Sequence, residues 1–383
     1  MRRSSSALLL LHVRSVWALS LAVVSKVIVD SVSGVQRPGG GGVQAACGAC
    51  LASFEGGSVK VGLHAPVGAD FEYGLLAPLT EYGVDTSGIA RLPNVPTTPG
   101  ELITYEGEQM SFEKVGWDDW ETLCEWEPSL ESSHEALHVI VEGGGSGEVR
   151  SVLKACAEAR DAGSQLPCIG VEPVAFDVDS KTVDGLCEVT RIAALCSPDL
   201  ATAICMRDAC ASPDASVCRP ADVDAAALAE VRSSNALLLE LAATVYDELC
   251  MQPGACLAIR DGAHGSYLYT RPAPGAPMWQ WLASGRDFEW LARVPAVSLE
   301  RVADPTGAGN AYAGAFCSML AAGADMVGAA AVATAVGAAF CRAAEAVPSE
   351  PDEVRRWVQA ESVQVRDSVR VVQVHPAGAD KAE

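Results

Sequence analysis

Asp304-Pro305-Thr306-Gly307-Ala308-Gly309-Asn310-Ala311-Tyr312-Ala313-Gly314-Ala315-Phe316 is a glycine-punctuated turn that runs into a long apolar segment of small residues. The pattern predicts a loop opening a helix. Gly307 and Gly309 let the backbone turn tightly and approach a ligand, while the first helical turn offers unpaired N–H groups and the positive end of the helix dipole. Such a helix start binds anions. A tight structural connection gives the same local pattern, so the order of the surrounding elements decides the reading.

A chain of 383 residues, 49% hydrophobic and 20% charged, can bury one large α/β core or two modest ones. Its net charge of −22 argues against a nucleic-acid or anionic-membrane surface. Any phosphate must then be held by local amides and a few basic side chains against the overall field. The 14 cysteines are spread from Cys47 to Cys341 in a chain too long to need stapling. The single C-x-x-C, Cys47 with Cys50, lies in an alanine-rich run with no second pair at zinc-finger spacing, so the cysteines read as small buried thiols.

Residues 1–24 carry Arg2, Arg3, Arg14 and an apolar run from Ala7, and the first acidic residue is Asp30. Two readings stand: a targeting segment, or an extension of residues 1–18 before a buried first strand over Leu19 to Val29, and the second is preferred. His12, Arg14 and Lys26 interrupt the apolar runs short of the roughly 20 residues a membrane span needs. The expected organisation is an extension over 1–18, one domain over 19–375 and a tail over 376–383. The expected location is the cytoplasm, with organellar targeting as the alternative.

Further along, the chain alternates between strand and helix patterns. Val27 to Asp30 reads as a strand, followed by Gly39-Gly40-Gly41-Gly42 opening an alanine-rich helix. Val59 to Gly62 reads as a strand and Leu75 to Val84 as a helix; Phe112 to Ser132, with Trp117, Trp120 and Trp126, reads as a surface connection. Leu137 to Val141 is a short apolar strand ending at Glu142, a candidate substrate contact because parallel sheets bind ligands at such carboxyl ends. Strands at Cys168 to Val171, Ala193 to Cys196 and Cys256 to Arg260 alternate with helical stretches, which implies a parallel sheet covered on both faces. Ala311 to Ala321 and Ala329 to Ala344 are apolar on nearly all sides and predict helices buried against that sheet.

Taken in order, these stretches resemble the ribokinase-like (PfkB) sugar kinases. The family's D-T-x-G-A-G-D turn matches Asp304 to Asn310, its glycine-rich first signature matches Gly39 to Gly42, and V-G-A-D-F-E-Y-G-L-L-A-P-L-T-E-Y-G-V-D-T-S-G-I from Val67 follows its next conserved order. The resemblance implies a three-layer α-β-α fold with a mostly parallel sheet and a small β lid, placed near residues 59–64 and 96–106. It implies ATP and Mg²⁺ as cofactors and transfer of phosphate to a sugar or sugar-like alcohol. Gly307, Ala308 and Gly309 would stabilise the phosphoryl group, with the base at the position of Asn310. Asp30 and Gly39, Gly40, Gly41 and Gly42 would hold the acceptor. Asp199, Gly262, Gly265 and Thr306 would line the nucleotide, with Asp199 a weak metal ligand. The resemblance leaves room for a homodimer formed through the lid.

The chain departs from the family at two catalytic positions. Asn310 replaces an aspartate, and a neutral amide cannot take a proton from an alcohol as a carboxylate can. In Ser197-Pro198-Asp199-Leu200-Ala201-Thr202, the family's Asn and Glu are Asp199 and Thr202. The D-P-T-G-A-G-N form resembles a fungal and algal branch, the maintenance-of-killer type, and Glu172-Pro173 resembles a dipeptide of the same branch. Two functions follow: a sugar kinase, or a catalytically impaired pseudokinase that binds ligands or acts as a scaffold. If only the base is missing, Asn310→Asp alone is expected to restore transfer by roughly 10²-fold or more. A dinucleotide-binding reading of Gly40 to Ala45 fails for want of a carboxylate after Val59 to Gly62.

Overall fold

The computed structural model describes residues 19–32, 34–52, 58–96, 98–106, 109–115, 117, 120, 124, 126–131, 133–141, 146–174, 177–211, 217–271 and 288–376. Apolar runs with few polar interruptions become strands buried on both faces. Leu19–Val24 (β1) lies between Val59–Val67 (β4) and Ala136–Val141 (β8), parallel to both. Ile89–Arg91 (β5) extends one edge beside β4. Cys168–Pro173 (β9), Leu195–Cys196 (β10) and Cys256–Arg260 (β11) continue the parallel run beyond β8. Ser266–Thr270 (β12), Phe288–Val294 (β13) and Arg370–Pro376 (β14) close that side as antiparallel strands. The order is β14-β13-β12-β11-β10-β9-β8-β1-β4-β5.

Helices cover both faces. Gly42–Leu51 (α1), Ala77–Glu81 (α2), Ala308–Ala321 (α8), Met326–Arg342 (α9) and Pro351–Ser368 (α10) build one apolar core with the sheet. Gly147–Asp161 (α3), Ser180–Thr190 (α4), Leu200–Ala211 (α5), Ala225–Ser233 (α6) and Asn235–Glu248 (α7) build the other. The fold is therefore the three-layer α/β arrangement expected, with a mostly parallel central sheet.

The lid is a separate sheet of order β3-β2-β6-β7, made from Val35–Gly39 (β3), Ile28–Val32 (β2), Gly100–Glu106 (β6) and Gln109–Val115 (β7). Residues 59–64, expected in the lid, belong instead to the central sheet, because every second residue of β4 is buried against β1 and the core. The expected single strand over Leu19 to Val29 is two strands. At Ser25 to Val27 the chain leaves the central sheet for the lid, so Asp30 lies on a lid strand rather than at the end of β1. Trp117 and Trp120 are not surface residues: at 6% and 2% exposure they pack with Ile28 and Val95 beneath the lid, and the Trp117 indole N–H donates to the Gly100 carbonyl at 3.2 Å.

Cysteine usage needs one correction. Cys205 on α5 and Cys218 form a disulfide. The pairing comes from a tertiary contact, the antiparallel bridge of Val178 with Cys218 beside α5, which sequence spacing does not reveal.

The two helices that begin at glycine-rich turns, α1 and α8, cross with their backbones touching. A methyl group on Gly48 would collide with the Ala311 carbonyl, and one on Gly314 with the Ala45 carbonyl. The α1 loop and the α8 turn are thereby held at one end of the sheet. Gly314→Ala is expected to lower stability by about 1–3 kcal/mol through overpacking, read as a fall in Tm and in the denaturant midpoint. An unchanged melting curve would show that the helices have room to part.

Candidate active site

Asp304 sits where the chain enters the turn, anchored by the amides of Ala303 and Asp304 donating to the Cys341 carbonyl at the end of α9. Its Oδ1 accepts the Thr306 amide at 2.8 Å. Its Oδ2 accepts from Arg37 Nη1 of lid strand β3 at 2.5 Å, with the two side chains 11% and 9% exposed. Asp304 thus faces the lid. Gly307 caps α8 in the left-handed region at φ 78°, and a Cβ there would collide with the side chain of Gln44 on α1. Ala308 donates to the Pro305 carbonyl, while the amides of Gly309 and Asn310 lie in the first turn, where no intrahelical acceptor exists. These are the donors an anion would meet.

Behind the turn lies a buried polar group. Glu172, at the carboxyl end of β9 and fully buried, accepts from Arg260 Nη1 at 2.6 Å and from Asn310 Nδ2 at 3.0 Å, both on Oε1. His138 of β8, also fully buried, places Nε2 at 3.5 Å from Oε2. Because a carboxylate only accepts, the Asn310 amide nitrogen must be the end facing Glu172, and Oδ1 is turned the other way. Asn310 is therefore held as a hydrogen-bond acceptor toward whatever lies beyond it.

The glycine-rich loop meets this group directly. Gly41 caps α1 at φ 76°, and a Cβ on it would lie 2.6 Å from Asn310 Nδ2. Gly40 accepts from the Ser25 hydroxyl at 2.9 Å, Gly39 lies against the Asp30 carboxylate, and Gly42 opens α1 against Ser25. Asp30 is 4% exposed and is the register partner of Arg37. Asp30, Arg37 and Asp304 thus form a line of charges from the lid to the turn. A cavity of about 490 Å³ opens beside Val29, Ser31, Gln36, Asp70, Phe71 and Thr98. Side chains alternate along a strand, so this cavity lies on the face of β2 opposite Asp30.

Toward β11, Asp199 precedes α5 and caps it, accepting the Thr202 amide at 2.7 Å and the Thr202 hydroxyl at 3.0 Å. It bridges Arg260 in parallel register. Gly262 and Gly265 flank the turn after β11, and a side chain on Gly265 would strike the Val294 carbonyl. Asp261, just before Gly262, accepts three hydrogen bonds from Arg232, at 2.6 to 3.0 Å, and one from the Tyr267 hydroxyl at 2.8 Å. The Asp261 hydrogen bond raises the Arg232 pKa, and burial raises that of Tyr267. Among the described residues no three His, Cys, Asp or Glu side chains gather to hold a metal. A Mg²⁺ ion held here would therefore take most of its ligands from water or a bound group.

Residues 213–353 match the pfkB family carbohydrate kinase model. Nothing among the curated proteins matches the chain by sequence. Solved structures do match: ribokinase from Cryptococcus neoformans var. grubii serotype A in complex with ADP, 19% identical, covers 89% of this chain and 99% of its own, with a TM-score of 0.61. Arabidopsis thaliana ribokinase complexed with ribose and ATP is 17% identical, with coverages of 90% and 99% and a TM-score of 0.59. The fold is ribokinase-like. Fructokinase with bound ATP from Xylella fastidiosa aligns over the same shares, 90% and 99%, at 17% identity and a TM-score of 0.58.

Of the residues singled out from sequence, the ribokinase-like fold brings Gly41, Gly307, Gly309 and Asn310 together and places Asp30 on the lid above them. Asp199, Gly262 and Gly265 lie toward β11. Glu142 falls outside the described residues. Arg37, His138 and Arg260 carry no local sequence signal of a site, and Glu172 carries one without a role. Arg260 and Glu172 end parallel strands, and the positional rule that selected Glu142 applies equally to them.

Replacing Arg37 by Met removes the cation beside a buried Asp304, and stability should fall by about 3–5 kcal/mol. Arg37→Met with Asp304→Leu should recover most of it in a denaturation cycle. Additive losses would show that the pair is not coupled.

Proposed function

We propose that this chain is an ATP-dependent kinase of a sugar or sugar-like alcohol. The observation that carries the reading is the contact between Gly41 and Asn310, which sets a glycine-rich acceptor loop against the first turn of an anion-binding helix. Support comes from the pfkB match over residues 213–353 and from structural neighbours crystallised with ribose and ATP, or with ATP and Mg²⁺. The kinase-like unit is residues 19–375, after an extension over 1–18 and before a tail over 376–383. The maintenance-of-killer branch is the family position that the Asn310 substitution favours. A cytoplasmic protein that pairs through its lid completes the reading. Among the described residues no helix is long and apolar enough to cross a membrane.

In this reading Asp30 and the loop Gly39 to Gly42 hold the acceptor, Glu142 contacts it, and the amides of Gly309 and Asn310 hold the phosphoryl group. Thr306, Asp199, Gly262 and Gly265 border the nucleotide, which brings its own Mg²⁺. An acceptor oxygen bonds to the terminal phosphorus as the bond from that phosphorus to the bridging oxygen breaks, and ADP leaves with the electron pair. Asn310 Oδ1 orients the hydroxyl but cannot take its proton. In a loose transition state the proton stays until late and passes to a phosphoryl oxygen or water.

Without a positioned base, transfer is expected to run about 10²–10⁴-fold below that of a kinase possessing one. Calorimetric titration with Mg·ATP, followed by a phosphate-transfer screen of ribose, fructose and adenosine, tests this. Binding without transfer to any alcohol would favour the second reading, a pseudokinase that binds ligands or acts as a scaffold, to which Asn310 and Thr202 point.

Glu172 changes the expectation for Asn310→Asp. A carboxylate there would face the buried Glu172 carboxylate across the 3.0 Å now spanned by an amide hydrogen bond. Two carboxylates that close share a proton, so the new base would be held neutral. Asn310→Asp alone is therefore expected to gain little, whereas Asn310→Asp with Glu172→Gln should gain roughly 10²-fold. An equal gain from the single substitution would refute this account.

A further inference from the structure

Arg260 closes an apolar strand, Cys256 to Ile259, whose residues are fully buried, and its own side chain is 13% exposed. A guanidinium in such a place costs desolvation energy that a single ion pair does not clearly recover. Among the described residues that guanidinium has one hydrogen-bond partner, Glu172 on Nη1, and its Nε is buried with none. The group lies against the backbone of Gly309, where a Cβ would collide with Nη1. It therefore sits at the first turn of α8, beside the amides that have no intrahelical acceptor.

The chain carries a net charge of −22, and the charges nearest the turn are already paired, Arg37 with Asp304 and Arg260 with Glu172. A fork-shaped cation can keep one partner and offer donors to a second in a fixed direction, because a guanidinium has five N–H groups in one plane. We propose that Arg260 is a catalytic residue of this site, contacting the transferring phosphoryl group through its remaining N–H donors while Glu172 holds it through Nη1. Glu172 is then a positioning residue that orients both Arg260 and the Asn310 amide. The proposal rests on the kinase reading for its transfer step, but its binding step stands apart from turnover.

The test compares wild type with Arg260→Gln and Arg260→Lys by calorimetric titration with Mg·ATP and separately with Mg·ADP, alongside transfer rates and melting curves. A charged hydrogen bond to the terminal phosphoryl predicts that Arg260→Gln loses about 10- to 100-fold in Mg·ATP affinity while Mg·ADP affinity stays near wild type. Where wild type transfers phosphate, the variant's rate should also fall on the order of 10²–10³-fold. Arg260→Lys keeps the ion pair with Glu172 but lacks the fork, and should bind Mg·ADP normally with most of the ATP preference lost. If Arg260→Gln does not fold, Arg260→Lys gives the reading.

Equal loss of both nucleotides, or full ATP preference in Arg260→Lys, would make Arg260 a structural ion-pair partner and overturn the proposal while leaving the kinase reading intact. A wild type that prefers Mg·ATP through Arg260 yet transfers to no alcohol would overturn the kinase reading and support the Arg260 contact. A wild type that binds neither nucleotide would overturn both.

Discussion

Helices α1 and α8 approach until backbone meets backbone, and the arrangement of the site follows from that contact. Gly48 and Gly314 each leave room for a carbonyl of the other helix, so neither helix can slide without losing the fit. Each helix starts at a glycine-rich turn, and their fixed crossing places Gly41 against Asn310 and Gly307 against Gln44. The glycine loop and the turn at Gly307 to Asn310 are built from separate parts of the chain, yet their relative position is decided by two missing methyl groups in the core.

Charge in the site is arranged as closed pairs. Arg37 with Asp304 and Arg260 with Glu172 are both largely removed from water. Such pairs contribute little net stability, since the cost of desolvating two ions offsets their attraction. What they supply is direction: the first joins a lid strand to the turn, and the second sets the plane of a guanidinium and the orientation of an amide. Glu172 serves two donors through a single oxygen, which makes the state of Asn310 depend on a residue 138 positions away in sequence.

Much of the architecture was legible because it is written in local patterns. Apolar runs of strand length alternating with small-residue helices implied a covered parallel sheet, and the glycine turn at 307 to 309 implied the helix it opens. What failed was register. β4 was read as lid because its sequence does not say which sheet it joins, and Leu19 to Val29 was read as one strand although the chain changes sheets at Ser25. Trp117 and Trp120 looked like surface aromatics until the lid was seen to lie over them. Within the site the glycines and Asn310 could be picked out, as they carry a turn signature. Arg37, His138, Arg260 and the role of Glu172 could not, since their meaning comes from strand ends brought together by the sheet order rather than from neighbours in the chain.

The passage of the chain from β1 into the lid at Ser25 to Val27 is also attached sideways. The Ser25 hydroxyl donates to the Gly40 carbonyl at 2.9 Å, and Lys26 bridges Gly41. Lid and glycine loop are therefore tied to the same short passage of chain. A side chain at that passage can in this way set the contour of the glycine loop without being part of it.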